Sequence, residues 1–506
     1  MMLSLLVGIP LLGSILVGLI PERAGKGLHR TLALGFGLAL LGLSLGLLLL
    51  LDPQEQGIQM AERVAWIPQL GLVYELGVDG ISLPLVVMTG LLVLIALWAS
   101  GQVERPRLYY SLVLLLAAAI AGAFLAQNLL LFFLFYEVEL IPLYLLIAIW
   151  GGPRRTYAAT KFLVYTAVSG ILLLIGFFGL SWLSEVHSFS YTVLQAHPLP
   201  PLQQLLLLVP ILLGLAIKIP LVPFHTWLPD AHVEASTPIS VLLAGLLLKL
   251  GTYGLVRFGL QLLPAAWEQA GPWLASWAVA NVLYGSLNAL VQQDMKKLVA
   301  YSSIAHMGYI LLATAAATPL SLVGSLFQMV SHGLISSLLF LLVGAVYANT
   351  GTRDLRLLRG LLNPERGLPL IGSLTVLGVM ASGGTPGLVG FIAEFTLFRG
   401  SFPVFPLQTL LCMVGTGLTA AYFLLMVNRV FFGRLSEVAI AMQRHAAGER
   451  LPAVVLAVLV VWLGLQPAWA THWVESTAAH WARPVVLNLA EAGRPITAFG
   501  PGSSSL

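Results

Sequence analysis

Apolar runs of about twenty residues recur along the whole chain, separated by short stretches that hold most of its charge. A helix needs roughly 17–25 such residues to cross a bilayer. Runs of that length fall near 2–20, 31–51, 81–100, 108–126, 129–150, 158–182, 203–233, 238–262, 272–292, 296–317, 320–347, 368–400, 406–432 and 451–471. The pattern predicts an all-α polytopic membrane protein with about fourteen transmembrane helices. No basic stretch precedes the first run and no cleavage site is evident, so it reads as a retained span rather than a signal peptide.

Two runs are interrupted. The seventh reads GLAIKIPLVPFHTWLPDAH, with Pro220, Pro223 and Pro229 after Lys218. Proline lacks an N–H and clashes with the preceding turn, so the helix breaks there. The twelfth reads MASGGTPGLVGFIAEF, with Gly383, Gly384, Pro386 and Gly387 ahead of Glu394. Paired broken helices mark the sites of many transporters, and unwound backbone at that depth must line protein or water. The two breaks are five spans apart, which predicts two five-helix repeats, residues 108–262 and 272–432. Five is odd, so the second copy inserts upside down as an inverted repeat. Residues 1–107 then supply three N-terminal helices, and 433–506 a C-terminal helix and tail.

Composition excludes a soluble alternative. The chain is 58% hydrophobic and 9% charged with a mean hydropathy of +0.93, where soluble proteins carry about 25% charged residues. Its surroundings are therefore the lipid bilayer. A net charge of +4 gives no reason to expect nucleic acid. Cys412 is the one cysteine and sits in an apolar run as a packing residue, whereas iron–sulfur and structural zinc sites need several ligands. The lysine-bearing GLLLKLG at 245–251 lacks the glycine spacing of a phosphate loop. No cofactor is expected within this chain.

Basic residues set the orientation. Arg23, Lys26, Arg30, Arg105, Arg107, Arg154, Arg155, Lys161, Lys296, Lys297, Arg353, Arg356, Arg359, Arg366, Arg429, Arg434, Arg444 and Arg450 all fall on one side. Only Arg63, Arg257, Arg399, Arg483 and Arg494 fall on the other. The positive-inside rule then places both termini away from the cytoplasm.

Charges also occur at mid-depth, where one costs about 2.5–3.5 kcal/mol and tends to mark a transport path. They are Glu137, Glu139, Lys218, Lys249, His306, His332 and Glu394, on successive spans at one level. A lone buried histidine or ion pair would read as structural. A line of seven reads as a proton path, because a Glu–Lys pair that can be made and broken changes proton affinity. Glu137 and Glu139 lie roughly 200° apart on a regular helix, so only one is expected to face an interior lysine. The stretch HTWLPDAHVEAST at 225–237 adds His225, Asp230, His232 and Glu234. Its spacing does not match a zinc site, leaving a proton entry or a polar span end.

The stretches YEVELIPLYLLIAIWGG, AIKIPLVPFHTWLPDAH, LLAGLLLKLGTYGLVRF, KKLVAYSSIAHMGYILLA and SGGTPGLVGFIAEF resemble the antiporter-like membrane subunits of complex I, relatives of the Mrp-type cation/proton antiporters. The resemblance runs from about residue 75 to 435 and is closest to the chain-4 (M or D) type, since Glu394 stands where the sister subunits more often carry lysine. It implies Glu137 with Lys218 as the central pair of a first half-channel, Lys249 as the connecting lysine, and His332 with Glu394 as a second. Glu139 and GGPRRTYAATKF look closest to the cyanobacterial and plastid branch, whose complex oxidises ferredoxin and reduces plastoquinone. Tyr136 replaces the family's usual tryptophan, and Arg154 and Arg155 its lysines, which suggests a divergent paralogue from the variant complexes linked to CO2 uptake.

The expected function is proton translocation in an NAD(P)H- or ferredoxin-plastoquinone oxidoreductase of a cyanobacterial thylakoid, with both termini lumenal. Quinone, iron–sulfur clusters and the electron donor would bind partner membrane and hydrophilic subunits. An Mrp-type Na+/H+ antiporter subunit would use the same residues. A quinone-site subunit is disfavoured because the polar groups form a line rather than a pocket. A structural spacer is disfavoured because every key charge is present.

Overall fold

In an apolar medium each backbone N–H and C=O must be satisfied within its own segment, and the apolar runs duly form helices. A computed structural model describes residues 1–24, 27–440 and 450–491, with side chains except those of 24 and 483–491. Lys26, Arg444, Arg494 and the tail from 492 lie outside the described residues, as does the Arg483 side chain. The one sheet among the described residues is an antiparallel hairpin of Gln59–Ile67 and Leu72–Val78.

Eleven described helices are long and apolar enough to cross a membrane; Arg450–Leu465 with Ala468–Ala482, bent by 61°, makes a twelfth if counted as one span. The expected fourteen are not reached by this measure, and the sequence contains the reason. Pro264–Leu290 is a helix of 27 residues, but Glu268, Gln269, Asn281, Ser286 and Asn288 dilute its hydropathy. The run 368–400 divides into Pro369–Ser382 and Val389–Ser401, of 14 and 13 residues, neither long enough alone.

The helices sort into an inner and an outer set. The most apolar 18-residue stretch is wholly buried in Thr237–Leu260 and in Pro319–Thr350 and 94% buried in Met295–Ala316, whereas in Leu28–Leu50 it is 28% buried and that helix turns leucines outward. Small residues let the inner backbones touch. A Cβ added at Gly285 would lie 2.7 Å from the Ala305 nitrogen, so the helices Pro264–Leu290 and Met295–Ala316 meet there without side chains between them.

Both expected breaks are present. Pro201–Lys218 stops at Lys218, and the chain resumes as Trp227–Glu234. The freed backbone is satisfied by side chains: Trp227 Nε1 donates to Ile217 O at 2.8 Å, Val222 N donates to Asn281 Oδ1 at 2.8 Å, and Trp277 Nε1 donates to Val222 O at 2.6 Å. In the second break Gly384 and Gly387 take φ of +71° and +88°, values that a side chain would strain. Thr237–Leu260 contains two π-helical segments, Leu243–Leu247 and Leu255–Leu260, one on each side of Lys249.

A third interruption was not expected. The span Leu129–Trp150 divides at Glu139, between Leu129–Val138 and Leu140–Trp150. Pro142 has no N–H to offer the Val138 carbonyl, but Glu139 keeps helical torsions (φ −66°, ψ −22°), so Glu137 and Glu139 still leave the helix on different sides.

Candidate functional site

Lys218 is the last residue of its helix, where unpaired carbonyls favour a cation. Its ammonium contacts the Glu139 carboxylate, and both side chains are fully buried. The direct partner is thus Glu139, not the expected Glu137: the helix turns its Glu139 side toward the lysine. Glu137 lies instead in the notch left by Gly170, where an added Cβ would collide with its Oε1. That oxygen has no hydrogen-bond partner. The Lys218 ammonium also sits 4.6 Å above the Tyr136 ring. Tyr136 is anchored by its hydroxyl, 2.7 Å from Ser169 Oγ, which in turn donates to Gly214 O at 2.7 Å.

Gly251 lets the helix bearing Lys249 pass close to the break, its missing Cβ lying 3.3 Å from that of Lys218. Lys249 Nζ donates to Ala244 O at 2.7 Å, a carbonyl within the first π segment. It also lies 2.7 Å from His332 Nδ1. With Lys249 as an ammonium, which only donates, Nδ1 accepts and the ring proton sits on Nε2. That atom is buried without a partner.

Beyond His332 the line continues through His306, whose ring centroid is 5.5 Å away. His306 Nδ1 donates to Ser302 O at 2.7 Å, which leaves Nε2 unprotonated and 3.6 Å from Glu394 Oε1. This is too long for a direct hydrogen bond. A cavity lined by His306, Gln328, Ser331, His332, Ser382 and Glu394 adjoins the gap, with room for about one water molecule. Gln328 Oε1 and Ser331 Oγ are unpartnered there. Glu394 Oε2 accepts from Thr416 Oγ1 at 2.8 Å. The neighbour of Glu394 is therefore His306, which stands between the two residues that the resemblance assigns to the second half-channel.

The 225–237 stretch does not converge on one point. His225 packs edge-on against Tyr284, with centroids 4.9 Å apart. Asp230 pairs with Lys161 at 2.8 Å. Glu234 Oε2 accepts from Arg154 N at 2.8 Å. His232 stacks on Phe340 at 4.3 Å with neither ring nitrogen hydrogen-bonded.

Sequence reading missed Thr416, a hydroxyl in an apolar span whose mid-run position was the only signal. It also placed Arg257 among the loop charges. The structure buries that guanidinium, its Nη2 2.7 Å from Asp79 Oδ2 and its centre over Tyr191, Tyr253 and Trp481.

Residues 126–419 match the family described as NADH:quinone oxidoreductase/Mrp antiporter, transmembrane. An NAD(P)H-quinone oxidoreductase chain 4 1 of Synechococcus sp. is 42% identical over 492 residues, 94% of this chain and 91% of that one. A chain 4 2 of Thermosynechococcus vestitus is 40% identical over 494 residues, 96% and 92% of the two chains. Among solved structures, a chain of respiratory complex I from Thermus thermophilus with bound NADH superimposes with a TM-score of 0.87 at 29% identity, covering 96% of this chain and 99% of that chain. A chain of the Mrp complex from Dietzia sp. gives 0.85 at 23% identity, with 96% and 98% covered, and is alike in fold.

Proposed function

The chain belongs to the NADH:quinone oxidoreductase/Mrp antiporter membrane family, and from that premise we propose that it carries protons across the membrane as a subunit of an NAD(P)H-quinone oxidoreductase complex. The observation that supports this most directly is the buried line of ionisable groups, Glu139–Lys218 and then Lys249–His332–His306–Glu394. Lys218 and Glu139 touch, as do Lys249 and His332, and the 3.6 Å gap between His306 and Glu394 adjoins a water-sized cavity. Buried charge of this kind marks a conduction path. The chain's own residues hold and pass protons; redox chemistry belongs to other subunits, hydrophilic ones included. The two breaks serve as the centres of two half-channels, one in each five-helix unit. The cyanobacterial relatives support a thylakoid location, and the basic-residue bias supports lumenal termini.

An Mrp-type antiporter subunit is the second reading, favoured by the shared fold. Purification in mild detergent separates the two: co-purifying hydrophilic redox subunits favour the oxidoreductase, and antiporter subunits alone overturn it. In the purified complex, Lys218→Ala should leave assembly intact while proton uptake per electron in membrane vesicles falls steeply. Wild-type uptake in a fully assembled Lys218→Ala variant would refute proton conduction by this line.

A further inference from the structure

Lys218 has two carboxyls around it where one would suffice, Glu139 fully buried in contact with it and Glu137 partly buried nearby. We propose that Glu137 and Glu139 are alternative partners of Lys218 that share one proton between them, which makes Glu139 a proton-carrying residue of the first site. This rests on the reading of the chain as a proton conductor and adds a residue and a step to it.

On either side of Glu139 the backbone bonds are long, Glu139 N to Phe135 O and Leu143 N to Glu139 O both at 3.3 Å. Glu139 is the carboxyl in contact with Lys218, while Glu137 lies against Gly170, next to Ser169, which bonds Gly214 one turn before Lys218. Glu137 Oε1 and Glu139 Oε2 are each buried without a hydrogen-bond partner, so either carboxyl has a free oxygen to take a proton. Beneath the ammonium lies the face of Tyr136, fixed at its far end by Ser169. A cation can shift over such a face without losing its attraction to it.

Charge balance supplies the rest. One ammonium and two carboxyls out of water are neutral only when one carboxyl is protonated, and a lone buried carboxylate is costly. With Lys218 on Glu139, the proton is on Glu137. If Lys218 moves to Glu137, the Glu137 O–H breaks and an O–H forms on Glu139. Lys218 keeps all its protons, total charge is unchanged, and one proton has moved between the carboxyls. Such a pair titrates as a unit.

The test uses the assembled complex, with proton uptake per electron in vesicles and the infrared absorption of protonated carboxyls as readouts. Glu137→Gln and Glu139→Gln should each leave Lys218 one permanent partner. Each should therefore abolish the same carboxyl absorption and lose uptake, with the double variant no worse than either. Retained absorption with wild-type uptake in Glu139→Gln would show that Glu139 merely props Lys218 and would overturn the proposal. Should Glu139→Gln fail to assemble, Glu139→Asp keeps the charge: a shifted carboxyl absorption supports sharing, and an unshifted one refutes it. Loss of uptake in Lys218→Ala beside wild-type uptake in Glu139→Gln would sink this proposal alone. Wild-type uptake in both would sink the reading beneath it.

Discussion

At the scale of single residues, the site depends as much on what is missing as on what is present. Gly170 makes the notch that holds Glu137, and a methyl there would occupy the place of the carboxylate oxygen. Alanine is the better helix former by about 0.5–1 kcal/mol, so Gly170→Ala should assemble normally yet lose proton uptake. Normal uptake in that variant would mean that the position of Glu137 is immaterial. His306 is the ring between His332 and Glu394, 5.5 Å from one and 3.6 Å from the other. His306→Phe keeps a ring of similar size and removes both nitrogens. Uptake should collapse with little change in the yield of complex, and an unimpaired variant would show that protons bypass this ring.

Among elements, the hairpin Gln59–Ile67/Leu72–Val78 clamps the first helix. Glu62 crosses to the start of Met2–Leu19, where Oε1 accepts from Leu3 N at 2.9 Å and Oε2 from Ser4 N at 3.1 Å. Helix N-termini favour such a carboxylate because their first N–H groups have no partner within the helix. Partial burial pushes the Glu62 carboxyl up, but hydrogen bonds from the Met1 amine, the Ser4 hydroxyl and these two amides outweigh it, and the group is held below its ordinary value of 4.5. A depressed carboxyl contributes stability above its ordinary value and loses it as pH falls through the folded value. Measured against the intrinsic rate at each pH, hydrogen exchange at the Leu3 and Ser4 amides should therefore be protected at neutral pH and lose that protection as the medium is taken below 4.5. In Glu62→Gln the exchange should be faster at neutral pH and lose that dependence, whereas an unchanged profile would refute the clamp.

For the molecule as a whole, the pair Asp79–Arg257 ties distant parts of the chain together. Asp79 Oδ1 accepts from Ile81 N and Ser82 N at the start of Ser82–Ala99, and Oδ2 faces Arg257 on the central helix. The guanidinium lies 5.4 Å from the ring centre of Trp481, on the last described helix. Removing one member of a buried pair strands the other charge, at a cost of about 3–5 kcal/mol, while replacing both by apolar residues is often neutral. Arg257→Ala should thus lower the melting temperature of the complex strongly, and Asp79→Leu with Arg257→Met should recover most of it. A double variant as unstable as the single would show that the charges themselves, and not the stranding of one, hold the ends together.

The sequence alone determined the membrane class, the two proline- and glycine-broken helices and the identity of the mid-depth charges. Each is written locally: a run of apolar residues excludes water, Pro220 or Gly384 interrupts a helix wherever it folds, and a glutamate in an apolar run is conspicuous without neighbours. The family, too, was legible in short motifs around Glu137, Lys218, Lys249, His306 and Glu394. What the sequence could not fix was which charge meets which. The 200° separation of Glu137 and Glu139 said that one of them faces Lys218, and only packing chose Glu139. The order His332–His306–Glu394 depends on how three helices pack, and the burial of Arg257 on a partner 178 residues away. Counting spans by length and hydropathy stops at eleven or twelve because polar residues thin Pro264–Leu290 and a glycine-rich break divides 368–400. Pairing is a property of packing, set by contacts between residues far apart in the chain, and only the tertiary structure decided it.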